Sequence, residues 1–182
     1  MTECRLVMQR AELADAKALG ELGRVLYRHY YAHLWTAAGC QAFIDEQFGE
    51  HAICRQLSRA DTAYFFIMVD EVLAGFAKTR LSQCIPGLPE IGMLIDKIYF
   101  KTEHISKGLG QVALDHLQAD ARRAGETLVW LVVLKSNLQA QRAYEKAGFH
   151  IVGQAPFSTD IADIGFFVMS RRLEGRRSIK KA

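Results

Sequence analysis

Long apolar runs are missing from this chain. Half of its 182 residues are hydrophobic, yet no stretch reaches the roughly 18 consecutive apolar residues that a membrane-spanning helix needs. The opening MTECRLVMQR carries no apolar segment of signal-peptide length. Both absences point to a cytoplasmic protein. Cysteine is sparse: Cys4, Cys40, Cys54 and Cys84 lie far apart, with no CxxC pair. That spacing excludes a zinc framework and a disulfide scaffold, so free thiols in a reducing compartment are expected. Charge of one sign is not in excess either. A formal net charge of +3 is too mild for a nucleic-acid module, which concentrates basic residues beside groove-reading or stacking motifs. There is no internal repeat and no low-complexity tract. Proline occurs three times, and two of the three, Pro86 and Pro89, share one short stretch.

What is present is the composition of an ordinary globular domain, with charged residues at 24%. The length suits one domain over residues 1–173, followed by a basic tail, 174–182, with almost no apolar content, which is expected to fray. The hydrophobic pattern alternates between helix and strand periods. A short strand is expected at Arg5–Gln9 and a helix at Glu12–Tyr31, its stripe running through Leu13, Ala16, Leu19, Leu22, Val25 and Leu26. Helical segments follow at Ala37–Phe48 and Ala52–Arg59. Strands are expected at Ala63–Val69 and Val72–Thr79, with a possible bulge at Gly75. The loop Ser82–Pro89 precedes a strand at Gly92–Lys101. Later strands are expected at Leu128–Leu134, His150–Val152 and Gly165–Ser170.

The stretch IYFKTEHISKGLG, Ile98 to Gly110, organises the rest. A β-branched and aromatic run enters a loop whose glycines open a helix, with Leu109, Val112, Ala113, Leu117 and Ala121 at helical spacing. The first N–H groups of a helix lack internal partners and sit at the positive end of its dipole. Gly108 and Gly110 keep side chains away from those donors, and Lys107 adds a full charge. Such a seat accepts a phosphate or pyrophosphate. GxxxxGK[ST] is absent, so this is not a P-loop. Gly108, Gly110 and Ala113 match the loose dinucleotide fingerprint GxGxxG/A. However, Lys101 to Lys107 separate strand from glycine, and the strand Leu128–Leu134 is followed by Lys135-Ser136-Asn137 and not by an acid.

After that second strand comes NLQAQRAYEKAGF, with Asn137, Ala140, Tyr144, Gly148 and Phe149. In combination with the glycine loop, this spacing resembles the GNAT superfamily of acyl-CoA-dependent N-acetyltransferases over Ile91 to Val152. A looser resemblance to bacterial spermidine and polyamine acetyltransferases runs from the Tyr30-Tyr31 pair to Met169, through IDKIYF and APFSTDIADIGFFVM. The resemblance implies an α/β (α+β) fold, a mixed and mostly antiparallel sheet of six or seven strands flanked by helices. It implies transfer of an acetyl group from acetyl-CoA to a primary amine by direct attack, with a small amine or polyamine favoured. A protein or peptide N-terminus is the alternative acceptor; a non-catalytic acyl-CoA-binding module is the alternative of another class. Acetyl-CoA is then the co-substrate, no metal is needed, and a homodimer is possible. Three positions depart from the family's pattern: Ile105 stands where the loop has Gln or Arg, Ser106 where it usually has glycine, and Leu94 where the preceding strand often has glutamate.

Acetyl transfer needs a base or water chain to take the amine's proton, a donor for the oxyanion and an acid for the thiolate. Tyr144 is the expected acid, on one helical face with Asn137, Ala140 and Gln141. Asp96, Glu90, Glu103 and His104 are the candidate bases. Asp96 leads because it lies on the same strand face as Leu94, and a relay through water remains open. Acetyl-CoA contacts are expected from Ile98, Phe100, Lys107, Gly108, Leu109, Gly110, Asn137 and Ala140. Asn137 also suits the N-cap of its helix, and Gly148 the left-handed residue after it. Tyr30, Tyr31 and Trp35 are the expected substrate contacts, with Tyr27 and Phe43 as further aromatic walls. Asp45, Glu46 and Glu50 are possible carboxylates for a cationic amine.

Overall fold

The computed structural model describes residues 5–105 and 108–174. Stretches of helical period, 8 to 16 residues long, become helices on the two faces of one sheet. The seven strands are β1 (Leu6–Arg10), β2 (Thr62–Val69), β3 (Val72–Cys84), β4 (Ile91–Phe100), β5 (Leu128–Leu134), β6 (His150–Ala155) and β7 (Phe166–Arg172). Their spatial order is β1-β2-β3-β4-β5-β7-β6. Every neighbouring pair is antiparallel except β4 and β5, which run parallel. The helices are α1 (Ala16–Tyr31), α2 (Ala37–Phe48), α3 (Glu50–Leu57), α4 (Leu109–Arg123) and α5 (Leu138–Lys146).

Two cores lie on opposite faces of the sheet. On one, Leu19, Leu22 and Leu26 of α1 meet Ile44, Phe48, Ile53, Tyr64 and Phe76. On the other, Leu109, Ala113, Leu117 and Ala121 of α4 pack on Ile67, Met93, Val129 and Leu131. The spacing of four along α4 keeps that ridge on one side. Val112 sits off the ridge and is 40% exposed; Val25 of α1 is likewise 63% exposed. Both were expected in the buried stripes, and both are one residue out of phase with them.

Strand β3 is longer than expected. It runs to Cys84, because pairing resumes at Gln83↔Gly92 and Cys84↔Ile91 after an irregularity beyond Arg80. Ser82 takes the left-handed backbone there (φ 53°), and its N–H donates to the Glu126 carboxylate at 2.7 Å. The expected loop therefore shrinks to residues 85–90, around Pro86 and Pro89.

The parallel pair positions the site. β4 and β5 are matched only at Met93↔Val129 and Leu94↔Trp130. Beyond those residues β4 continues for six residues, to Phe100, without β5. Just past the fork β4 carries a bulge: Lys97 faces Lys78 and Ile95 faces Thr79, leaving Asp96 as the extra residue. A bulge re-aims side chains and frees backbone groups. Helix α5 closes the fork from the β5 side, ending at Gly148 (φ +82°). There the Phe149 N–H returns to the Tyr144 carbonyl at 3.0 Å, and Phe149 is buried. This six-to-one closure is what a helix terminator of the Schellman type provides.

Candidate active site

Two cavities occupy the fork, one on each side. The larger, ≈ 400 Å³, has Phe100, His104, Ile105, Gly108, Gly110, Gln111, Gln139, Ala143 and Lys146 in its walls. The smaller, ≈ 260 Å³, runs toward α1, α2 and the β6–β7 loop, with Tyr27, Phe43, Asp96, Lys97, Phe157 and Phe166 in its walls. Six residues line both: Tyr31, Ile98, Tyr99, Asn137, Ala140 and Tyr144. The cavities therefore meet where β4, α1 and α5 come together.

The larger cavity opens over the N-terminus of α4, where Gly108 and Gly110 stand in its wall. Gly108 stands before α4 in the left-handed region (φ 73°, ψ −3°), and no side chain caps the helix. The Gln111 N–H turns back to the Gly108 carbonyl at 3.1 Å, while the N–H groups before it are left for an external acceptor. A Cβ built on Gly108 or on Gly110 meets nothing within 4 Å. The space over the helix N-terminus is thus open to a diphosphate, and the seat fits one. Ile98 and Phe100 line this side as expected. Leu109 differs: its side chain is 3% exposed and belongs to the core, so it has only backbone to offer. Lys107, with Ser106, lies outside the described residues.

Asn137 does two jobs. Its Oδ1 accepts the Ala140 N–H at 3.1 Å and caps α5, while its remaining surface faces both cavities. Gln141, on the same helical face, is buried and donates to the carbonyls of Leu134 and Lys135 at 3.0 Å each. It locks the β5–α5 turn and so fixes where Tyr144, three residues on, points.

Tyr144 stands at the junction. Burial pushes its phenol above the usual range, with the nearby Tyr31 adding to this. The hydroxyl keeps its proton throughout the neutral range. Tyr31 and Tyr99 beside it are also raised by burial, and Tyr27 is pushed up to about 12 by the same cause. None of these phenols is a base at neutral pH.

Asp96 lines the smaller cavity, but both of its oxygens are engaged. Lys78 Nζ lies 2.6 Å from Oδ2 and Lys97 Nζ 3.4 Å from Oδ1. Burial pushes the carboxyl up; the ammoniums of Lys97 and Lys78 outweigh it and hold the group below the usual carboxylate range. Lys78, 8% exposed in its side chain, is itself depressed by burial against the pull of Asp96. A carboxylate in that state is a weak base, contrary to the role expected for it. His104 stands in the wall of the larger cavity, outside the residues that the two cavities share, and the two glutamates line neither. Glu90 faces Arg172 at 3.6 Å, and Glu103 is exposed in a short turn after β4.

The expected substrate contacts divide. Tyr31 lines both cavities. Tyr30 lines only the larger one, and its hydroxyl donates to the Phe100 carbonyl at 2.6 Å. Trp35 lines neither. It stands behind the smaller cavity, donating to the Tyr27 hydroxyl at 3.1 Å and packing on Phe43 and Phe157. Asp45, expected near an amine, pairs instead with Arg24 and accepts from Gln41. Glu46 and Glu50 line neither cavity. Sequence reading missed Tyr99, Phe157 and Phe166 as cavity walls. Phe157 comes from the β6–β7 loop, which Asp160 ties to α2 by accepting the Thr36 N–H at 2.9 Å and its hydroxyl. Among the described residues no group of His, Cys, Asp or Glu is arranged to hold a metal, and no helix is long and apolar enough to cross a membrane.

A family model described as Acetyltransferase (GNAT) family matches residues 22–149. Solved structures agree over nearly the whole chain. PaiA N-acetyltransferase from Thermoplasma acidophilum, in complex with coenzyme A, has a TM-score of 0.72 at 19% identity, covering 93% of this chain and 99% of its own. An acetyltransferase of the GNAT family from Streptococcus pneumoniae has 0.65 at 19%, covering 93% and 100%. An aminoglycoside acetyltransferase, in complex with coenzyme A and kanamycin, has 0.61 at 20%, covering 92% and 95%.

Proposed function

From the premise that this chain belongs to the GNAT acetyltransferase family, and is an acetyl-CoA-dependent transferase, we propose that it acetylates the primary amine of a small molecule. The observation that carries this reading is the meeting of two cavities at Tyr144, one over an uncapped helix N-terminus and one walled by aromatic rings. Acetyl-CoA supplies an acyl carbon activated as a thioester. The N–H groups at the start of α4 would hold its diphosphate, and Asn137, Ile98 and Phe100 would line the arm that reaches inward. The aminoglycoside acetyltransferase, solved with coenzyme A and kanamycin, supports a small-molecule acceptor.

The acceptor enters from the smaller cavity. There the amine nitrogen attacks the acyl carbon, a C–N bond forms and the C–S bond breaks, the electron pair leaving on sulfur. The unpaired edge of β4 beyond Leu94, next to the bulge at Asp96, offers N–H groups for the developing oxyanion. Tyr144 donates its proton to the departing thiolate and regains one from solvent. The amine must first lose its own proton. Apolar walls and two ammoniums against one carboxylate disfavour a charged amine in this cavity, so it is held as the free base and its proton passes to water. Asp96 then acts by keeping Lys78 and Lys97 in place.

The test is release of free thiol from acetyl-CoA with and without a panel of primary amines. Amine-dependent release is expected. Tight coenzyme A binding by calorimetry, without release for any amine or peptide, would reduce the protein to a binder.

A further inference from the structure

The smaller cavity has a chemistry of its own, and the following rests on the acetyl-transfer reading above. Besides Tyr144 of α5, its walls carry rings from five separate segments, α1, α2, β4, the β6–β7 loop and β7. Tyr27 stacks on Phe43 with centroids 4.5 Å apart, and Tyr31 is tilted against Tyr27 at 5.0 Å and against Tyr99 at 5.8 Å. Phe157 and Phe166 face each other at 4.6 Å. At ≈ 260 Å³ the space lies below the roughly 300–1,000 Å³ of drug-sized sites. It suits one compact body.

The charges around it decide what that body can carry. Asp96 is the carboxylate in its walls, and Lys97 stands beside it. Both Asp96 oxygens are taken by Lys78 and Lys97, so this cluster sums to a positive charge. Asp45 is paired with Arg24, while Asp160 and Asp163, which accept from the neutral Thr36 and Ser158, line neither cavity. A second ammonium held within these walls would meet Lys97 and no unpaired carboxylate, at a cost that desolvation raises.

We infer that the acceptor is a compact monoamine with a flat apolar body, of the arylalkylamine kind, and not a polyamine. The ring would lie among Phe43, Phe157 and Phe166, with its amine toward Tyr144. Phe157 is the specificity-determining residue on the β6–β7 loop, and Asp160 positions it by anchoring that loop to α2.

The experiment measures thiol release by the full-length protein with 2-phenylethylamine, tyramine and hexylamine against putrescine and spermidine. The best monoamine is expected to exceed the best polyamine in kcat/KM by at least tenfold. Phe157→Ala should lower monoamine kcat/KM about tenfold with the KM for acetyl-CoA unchanged, and Phe157→Leu should restore most of it. Lys97→Met, which frees one Asp96 oxygen, should shrink the monoamine preference. Preference for spermidine, or an unchanged ratio in Lys97→Met, overturns the inference while leaving acetyl transfer standing. Coenzyme A binding with no thiol release for any of the five amines overturns this inference, and no release across the wider panel of amines and peptides overturns acetyl transfer as well.

Discussion

The two sides of the fork are built from different materials. The side over α4 sets two glycines and an uncapped helix N-terminus beside side chains such as Tyr30, Ile98, Phe100 and Leu114. The opposite side is walled by rings delivered from α1, α2, β4, α5, the β6–β7 loop and β7. Backbone donors recognise an anion whatever the flanking residues are, so one seat serves a common co-substrate. Rings and trapped charges discriminate between bodies, so that side can change acceptor without disturbing the other. Tyr144 and Asn137 belong to both, and they are where the comparison can be broken.

The largest effect is expected at Tyr144. Tyr144→Phe keeps the ring and removes the hydroxyl at the junction. If that hydroxyl protonates the thiolate, kcat should fall by roughly 10²–10⁴-fold, and the KM values of both substrates should hold, because only the transition state has lost an interaction. Burial keeps this phenol protonated beyond its ordinary range, so wild-type activity should show no loss from Tyr144 ionisation up to pH 10. Near-normal kcat with a lowered melting temperature would make Tyr144 a packing residue.

Next is the seat itself. Gly108→Asp places a carboxylate in the open space above the α4 N-terminus. Like-charge juxtaposition costs several kcal/mol, so acetyl-CoA affinity should drop on the order of 100-fold. Asp tolerates the left-handed backbone better than most residues, and Gly108→Asn carries the same strain without the charge. The two sides are separable if Asp abolishes coenzyme A binding by calorimetry and Asn largely keeps it. Equal losses would mean that backbone shape, not charge, was at stake.

On the acceptor side, Asp96→Asn leaves Lys78 and Lys97 facing a neutral amide. Breaking a buried pair costs roughly 3–5 kcal/mol; with Asp96 24% exposed, about 2 kcal/mol is expected. The folded carboxyl titrates below its unfolded value. Its contribution is therefore full above about pH 4 and lost as pH falls through the folded value. Melting temperatures of wild type and variant should differ most at pH 7 and draw together as pH falls below the ordinary carboxylate range. A constant gap would mean that the variant lost packing and not charge.

The same division explains what could be read from sequence. The order of strands and helices was legible because each has its own period, and the α4 seat because a strand, two glycines and a helix are contiguous. The aromatic cavity was not. Phe157 lies in a loop with no periodicity, and Phe43 and Tyr27 look like helix-packing residues until the β6–β7 loop folds over them. Asp96 was visible as an odd carboxylate in a strand. Its partners were not, because Lys78 is on another strand and the bulge that turns Lys97 to the same side has no sequence signal. Val25 and Val112 fell outside their stripes because a hydrophobic residue one step out of phase looks like part of the pattern.

The smallest effect is expected at Asn137, and it separates structure from contact within one side chain. Its Oδ1 caps α5 through the Ala140 N–H, and the same residue faces both cavities. Asn137→Ala removes both functions and should cost about 1 kcal/mol of stability, the usual worth of an N-cap. Asn137→Ser keeps an oxygen that can cap but loses the amide N–H₂, which faces no acceptor in the protein's own hydrogen bonds. If Asn137 serves only α5, Ser restores both the melting temperature and the KM for acetyl-CoA. If its amide also reaches the arm of acetyl-CoA, Ser restores the melting temperature while KM stays raised about three- to tenfold, the worth of one hydrogen bond of roughly 1 kcal/mol. Because Asn137 sits where the two sides meet, a raised KM for the amine as well would show that the cap orients Tyr144 and that the two sides are coupled through α5.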